Sequence, residues 1–234
     1  NWPENSCREI FTKLQSLRVL DLSNTPIRDI APLINLQNLT SLNLKGTKIR
    51  NISVINNLNN LQKLDLSETR VTNLNSLSSL SQLQELWVYK TKVNNIEVLS
   101  NLQHLTKLSI SHTNIKDLQP LRNHRGLQEL YLSNSIIRDI SPLRDLQLLN
   151  VLYSGNNWID DYSPIAGLTN LKTLYLYRSN IKNLDFIKGL TKLNYLNVSN
   201  TSIRNLKNLQ NLSRLSKLDL TNTLTDDLLP ISEL

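Results

Sequence analysis

The chain has 234 residues, a net charge of +7 and one cysteine. That length is enough for a substantial core in one large or two small domains, and the lone Cys7 excludes an intrachain disulfide and any cysteine-based zinc cluster. The 50 Leu and 32 Asn, against 5 Gly and no Met, point to an internal repeat, and because Leu recurs singly between polar residues no apolar run approaches the ~20 residues that span a membrane.

In chain order, residues 1–13 read as the second half of a degenerate repeat. Trp2, Cys7, Ile10 and Phe11 are placed to shield the first full repeat, so an N-terminal cap is predicted there, with Cys7 buried rather than nucleophilic. The chain opens on Asn1 without a basic-then-apolar leader, which reads as a processed product or an excised piece. Residues 14–233 then fall into ten units of 22, beginning at Leu14, Leu36, Leu58, Leu80, Leu102, His124, Leu146, Leu168, Leu190 and Leu212. Leu234 would open an eleventh unit. The tenth carries Leu224, Leu228, Leu229 and Ile231 with no polar terminator, so the C-terminal cap is read as absent and end-to-end self-association through this repeat as possible.

Within each unit the positions have distinct physical roles. Positions 4, 7 and 9 are apolar except Ser154, and positions 6–10 alternate polar and apolar, which predicts a short strand with 7 and 9 facing inward. One such strand cannot hide its apolar face; stacking copies does, and the result is a parallel-stranded solenoid. Position 12 is Thr, Ser or Asn in every unit, from Thr25 to Thr223, and is expected to bond the turning backbone of the next coil in a ladder. Position 16 is always Asp or Asn, from Asp29 to Asp227, and suits the N-cap of a helical turn over positions 17–20. Pro at position 19 (Pro32, Pro120, Pro142, Pro164, Pro230) fits the first turn of that segment. The acidic series is therefore explained as caps, not as metal ligands or catalytic carboxylates.

Function should lie where packing leaves the sequence free: positions 6, 8 and 10 on the open strand face, and the borders beside them. Those three positions hold seven of the 12 aromatic residues, where even placement would put one or two: Trp87, Tyr89, Tyr131, Tyr153, Tyr175, Tyr177 and Tyr195. Units one to three, five and ten do without them, which argues for a binding stripe rather than a general sheet-stabilising device. At position 10, Ser111, Ser133 and Gly155 lie between Tyr89 and Tyr177, predicting a shallow notch for a partner side chain or loop. Positions 11, 13 and 15 carry 11 basic and 3 acidic residues, so one border holds the whole positive balance and would steer an acidic partner to the stripe. Lys90 and Arg178 are the border residues expected to make polar contacts.

The pattern L-x-x-L-x-x-L-x-L-x-x-T-x-I-x-D/N-I-x-P-L-x-x covers 220 of the 234 residues and resembles the 22-residue leucine-rich repeat of bacterial internalins. It is also similar to the repeat of the regulatory subunit of type 1 protein phosphatase. Thr at position 12 replaces the Asn usual in internalins, and residues 1–13 do not match the internalin helical cap. The resemblance implies an α/β horseshoe, with parallel strands on the concave face and short 3-10 turns on the convex face, used to bind protein. Likeness to internalins implies a secreted or surface-exposed bacterial protein engaging a host partner, a virulence or effector role. Likeness to the phosphatase regulator implies a cytoplasmic scaffold instead.

Other chemistry is poorly provided for. His104, His112 and His124 do not assemble with a carboxylate and a nucleophile, no glycine-rich phosphate loop is present, and metal-ligand spacing is absent, so no catalytic residue, cofactor, metal or small-molecule substrate is expected. Basic residues beside aromatics would suit nucleic acid, but Asp21, Asp65, Glu85, Glu129 and Asp219 on the same face would repel phosphate. Protein recognition leads.

Overall fold

The computed structural model describes residues 15–232. Ten three-residue strands, β1 (Val19–Asp21), β2 (Ser41–Asn43), β3 (Lys63–Asp65), β4 (Glu85–Trp87), β5 (Lys107–Ser109), β6 (Glu129–Tyr131), β7 (Val151–Tyr153), β8 (Thr173–Tyr175), β9 (Tyr195–Asn197) and β10 (Lys217–Asp219), pair in parallel in chain order as one open sheet. A short 3-10 turn succeeds each strand on the opposite wall, from Ala31–Asn35 to Leu229–Ile231. The register is one repeat per strand without slip, so Leu42 lies opposite both Leu20 and Leu64. The cap expected over residues 1–13, Cys7 included, lies outside the described residues.

Stacking is what makes so short a strand stable. Three residues alone bury almost nothing; ten copies share one continuous core. In the fifth repeat Leu102, Leu105, Leu108, Ile110, Ile115, Leu118 and Leu121 are all at most 1% exposed. At the ends the same positions are less covered: Leu20 and Leu218 are only partly buried, and Leu228 and Leu229 are 60% and 78% exposed.

Three local expectations need correction. The strands span positions 6–8, not 6–10, because position 11 takes a left-handed backbone in every repeat, with φ from 50° at Arg178 to 71° at Gly46, and the chain is already bending towards it. Asn occupies five of these ten sites, as left-handed geometry favours, but Glu68, Lys90, His112 and Arg178 adopt it too. The 3-10 turn starts at position 18, so the cap position is 17 and position 16 sits one residue before it. It still does the capping work. In all ten repeats its side-chain oxygen accepts from the N–H of position 18, from Asp29 to Ala31 at 2.9 Å through Asp227 to Leu229 at 2.9 Å.

The position-12 ladder is the third. In eight repeats the hydroxyl turns back to its own coil and donates to the carbonyl of position 9, as Thr69 does to Leu66 at 2.6 Å. Only repeats six and seven reach the preceding coil, Ser135 to the Ile110 carbonyl at 3.3 Å and Asn157 to the Leu132 carbonyl at 2.8 Å. Elsewhere the hydroxyl takes the carbonyl three residues back, which lies nearer than the neighbouring coil, whereas the longer carboxamide of Asn157 reaches both.

His124 replaces the usual Leu at position 1 and is fully buried among the turns. The carbonyls of Leu99, Leu102, Leu121 and Pro120 lie close enough to favour a charged ring, yet none forms a hydrogen bond with either ring nitrogen among the described residues. Burial dominates, and it holds the imidazole below its ordinary range.

Candidate functional site

Position 8 points out of the sheet, and neighbouring strands lie ~4.8 Å apart, so in-register aromatics there must come into ring-to-ring contact. They do. Tyr131 pairs in register with Tyr153, and Tyr153 with Tyr175. The Tyr153 and Tyr175 rings stack with centroids 3.9 Å apart; Tyr131 meets Tyr153 at 4.9 Å, and Tyr195, from position 6, meets Tyr175 edge-on at 4.7 Å. Trp87 reaches Tyr131 at 5.6 Å across Ser109, the ringless position 8 between them. Such pairs contribute ~0.5–1.5 kcal/mol beyond the area they bury, which leaves all seven predicted aromatics half-buried rather than fully exposed.

The phenols are held neutral. Burial, and then the neighbouring phenols of Tyr153 and Tyr195, pushes Tyr175 up beyond the normal phenol range. Burial, and then the bond from Tyr131 Oη to Glu129 Oε2 at 2.9 Å, pushes Tyr131 up likewise. These hydroxyls remain protonated donors. Position 6 alternates in sign across four strands, so that Lys63 meets Glu85 at 3.0 Å and Lys107 meets Glu129 at 2.9 Å. Two of the acids counted against phosphate binding are therefore already engaged by lysines.

Beside the aromatic file runs a trough of about 490 Å³. Trp87, Tyr131, Tyr153 and Tyr175 line one side, Tyr89, His112, Asn134 and Tyr177 the other, with Ser111 and Ser133 between. Tyr89 packs edge-on against His112 at 5.1 Å and carries Lys90 Nζ 5.2 Å from its ring centre. The predicted notch is shorter than expected, because the Gly155 end is occupied. Tyr177 lies over Gly155, where an added Cβ would clash with the ring, and its hydroxyl accepts from Asn134 Nδ2 at 2.7 Å, two coils back. Gly155 is thus a seat for Tyr177. Lys90 and Arg178, both exposed, follow the lining residues Tyr89 and Tyr177 at left-handed position 11.

Position 8 divides the solenoid in two. In repeats one to three and nine to ten it is Asp or Asn, and its side chain accepts from the N–H of position 10: Asp21 from Ser23, Asn43 from Lys45, Asp65 from Ser67, Asn197 from Ser199 and Asp219 from Thr221. In repeats four to eight Trp87, Ser109, Tyr131, Tyr153 and Tyr175 take the place of that acceptor.

Sequence reasoning missed two exposed apolar side chains on the border, Trp158 at 70% and Ile136 at 48% exposure. Their signal was available: both occupy position 13, where seven of the other eight repeats carry Pro, Lys, Arg, Asn or Ser. Beside them Arg138 pairs with Asp160 at 3.3 Å, and Lys45 pairs with Glu68 at 3.6 Å, so two of the three border acids are matched by cations in mostly exposed pairs of small energetic value. Among the described residues no group of His, Cys, Asp and Glu could hold a metal ion, and no helix is long and apolar enough to cross a membrane.

The leucine-rich repeat region profile matches residues 4–161, more than half of the chain. This chain belongs to the leucine-rich repeat family. The crystal structure of internalin InlF from Listeria monocytogenes is similar to this leucine-rich repeat protein at 29% identity and a TM-score of 0.87, covering 95% of this chain and 66% of that one. Internalin C2 of the same organism is similar at 26% identity, with 90% and 84% of the two chains covered and a TM-score of 0.73. The plant peptide hormone receptor RGFR1, solved in complex with RGF2, shares the fold alone: 18% identity, a TM-score of 0.75, and 92% of this chain on 41% of that one. No curated protein matches by sequence. The repeats are internalin-like, and the chain spans just under two thirds of InlF.

Proposed function

We propose that this leucine-rich repeat protein is a non-catalytic recognition module that grips a partner protein along the aromatic file of its concave face. The observation that carries the reading is the unbroken contact from Trp87 through Tyr131, Tyr153 and Tyr175 to Tyr195. Rings held half-exposed by one another lose little side-chain freedom on binding, which is the property of interface anchors. Tyr89, Tyr177, Lys90 and Arg178 would frame the contact, and the basic border would favour an acidic partner. Likeness to InlF and internalin C2 supports a bacterial surface or secreted setting with a host protein as partner.

The test compares capture of partners from host and self lysates by the wild type, a Trp87→Ala/Tyr153→Ala/Tyr175→Ala variant, and an Asp21→Ala control. Circular dichroism verifies the fold of each. The reading expects the triple variant to lose partners that the control retains. Equal retention by all three would remove the stripe as the site.

A further inference from the structure

The trough floor has an unusual hydrogen-bond balance. In the five flanking repeats the N–H of position 10 is taken by the position-8 Asp or Asn of the same coil, as for Ser67 by Asp65 at 2.8 Å and Ser199 by Asn197 at 3.0 Å. In repeats four to eight that acceptor is gone, and the N–H groups of Tyr89, Ser111, Ser133, Gly155 and Tyr177 meet no acceptor among the described residues. The ladder resumes on either side. Leu132 N–H reaches the Tyr153 carbonyl at 2.8 Å, and Asn134 N–H the Gly155 carbonyl at 3.0 Å, so the gap is confined to position 10.

A second, independent observation lies at the same place. The Ser133 hydroxyl oxygen, on a side chain lining the trough and 94% buried, also has no partner. A buried side-chain polar atom such as the Ser133 hydroxyl is normally paired, and leaving it unpaired costs stability. Of the five, Gly155 lies under Tyr177, while Ser111 and Ser133 sit on the open stretch of floor. Of the charged lining residues Lys45 and Asp65 offset one another, and the exposed Lys90 and Arg178, next in sequence to the lining Tyr89 and Tyr177, tip the balance towards an anion.

We infer that the floor at Ser111 and Ser133 seats a carboxylate side chain of the partner, which supplies in repeats five and six the acceptor that Asp or Asn supplies in the flanking repeats. The occupant is an acidic segment of a partner protein laid along the trough between the aromatic file and the Tyr89–Tyr177 wall. Charge-assisted bonds from backbone N–H to carboxylate are short and strong, and a floor held rigid by the sheet needs no reorganisation to make them. This inference rests on the recognition reading above and refines it, from a stripe that binds protein to a trough that selects Asp or Glu.

The experiment monitors the backbone amide resonances of the ¹⁵N-labelled protein as the peptide acetyl-(Glu)4-amide is added at constant ionic strength, with acetyl-(Gln)4-amide as the neutral control. The Ser111 and Ser133 amides are expected to move downfield with the glutamate peptide only, while those of Ser67 and Ser199, already bonded, stay in place. A Ser109→Asp variant rebuilds the internal acceptor without removing a ring; it should weaken the glutamate peptide about tenfold, the loss of one such bond, and leave the Ser109→Ala variant unaffected. Equal shifts with both peptides, or shifts confined to Lys90 and Arg178, would overturn the carboxylate seat even if Ser109→Asp failed to fold, because they are read on the wild type. If Ser109→Asp keeps its captured partner while the triple alanine variant loses it, the seat falls and the aromatic stripe stands.

Discussion

Repeats one to three and nine to ten differ from repeats four to eight at position 8, and that position sorts the solenoid into a self-capped scaffold and the block that carries the proposed site. In the flanking repeats position 8 is a short polar side chain that closes its own coil, as Asp65 and Asp219 do through the N–H groups of Ser67 and Thr221. In the central block the same position holds rings that look to each other and outward, with Tyr153 and Tyr175 in contact at 3.9 Å. The apolar skeleton beneath is the same in both: Leu64 under Asp65 and Leu152 under Tyr153 are each fully buried. The face can therefore change its chemistry repeat by repeat without disturbing the core, because position 7 fixes the stack and position 8 is free of it.

That contrast can be broken from the inside first. Leu152→Ala empties a fully buried site and should cost about 2–5 kcal/mol of unfolding free energy, whereas Leu20→Ala at the partly buried first repeat should cost clearly less; chemical denaturation of both variants measures it. Next in size, Tyr153→Ala removes two ring contacts and should lower stability by about 1–3 kcal/mol and partner affinity by ~2 kcal/mol or more, while Lys217→Ala in the tenth repeat leaves affinity unchanged in a titration of the captured partner.

Acid should act on His124. Its folded pKa is depressed, so its contribution is complete above the unfolded value of about 6.5 and is lost as pH falls from there towards the folded value, because the unfolded chain takes the proton first. Thermal melts from pH 7 to 5 should show a falling midpoint that His124→Leu, with no ring nitrogens to leave unpaired, removes.

Smaller effects sharpen the boundary itself. Asp65→Ala should lose about 1 kcal/mol, the net worth of one hydrogen bond, and so should Asn197→Ala, but Ser109→Ala should lose almost nothing because Ser109 supplies no such acceptor. The smallest change is a gain: Lys90→Asn suits a left-handed backbone at φ 52° and should raise stability by up to about 1 kcal/mol, while lowering partner affinity if Lys90 flanks the bound chain.

Most of the frame is legible in the sequence. The register, the parallel order, the wholly buried positions and the face carrying Trp87 and the six tyrosines are all consequences of the 22-residue period. The capping role of position 16 is legible too, displaced by one residue. The hidden part is of another kind. Polarity at position 12 suggests a bridge between coils, but the side chain of Thr69 or Thr91 satisfies itself on the nearest carbonyl of its own coil. Small side chains at Ser111, Ser133 and Gly155 suggest a notch, but a small residue shows only that space exists, not which neighbour fills it; Tyr177 fills the last of the three.

The sequence by itself determined the stacking and the display, because an apolar period repeated ten times leaves one way to hide so many leucines and fixes which positions stay outside. Tertiary structure alone decided the left-handed turn shared by Asn24, Lys90 and Arg178, the reach of Tyr177 back to Asn134, and the absence of an acceptor at Ser111 and Ser133. Those depend on torsions and on partners one or two coils away, and a pattern of polarity along the chain carries no information about either.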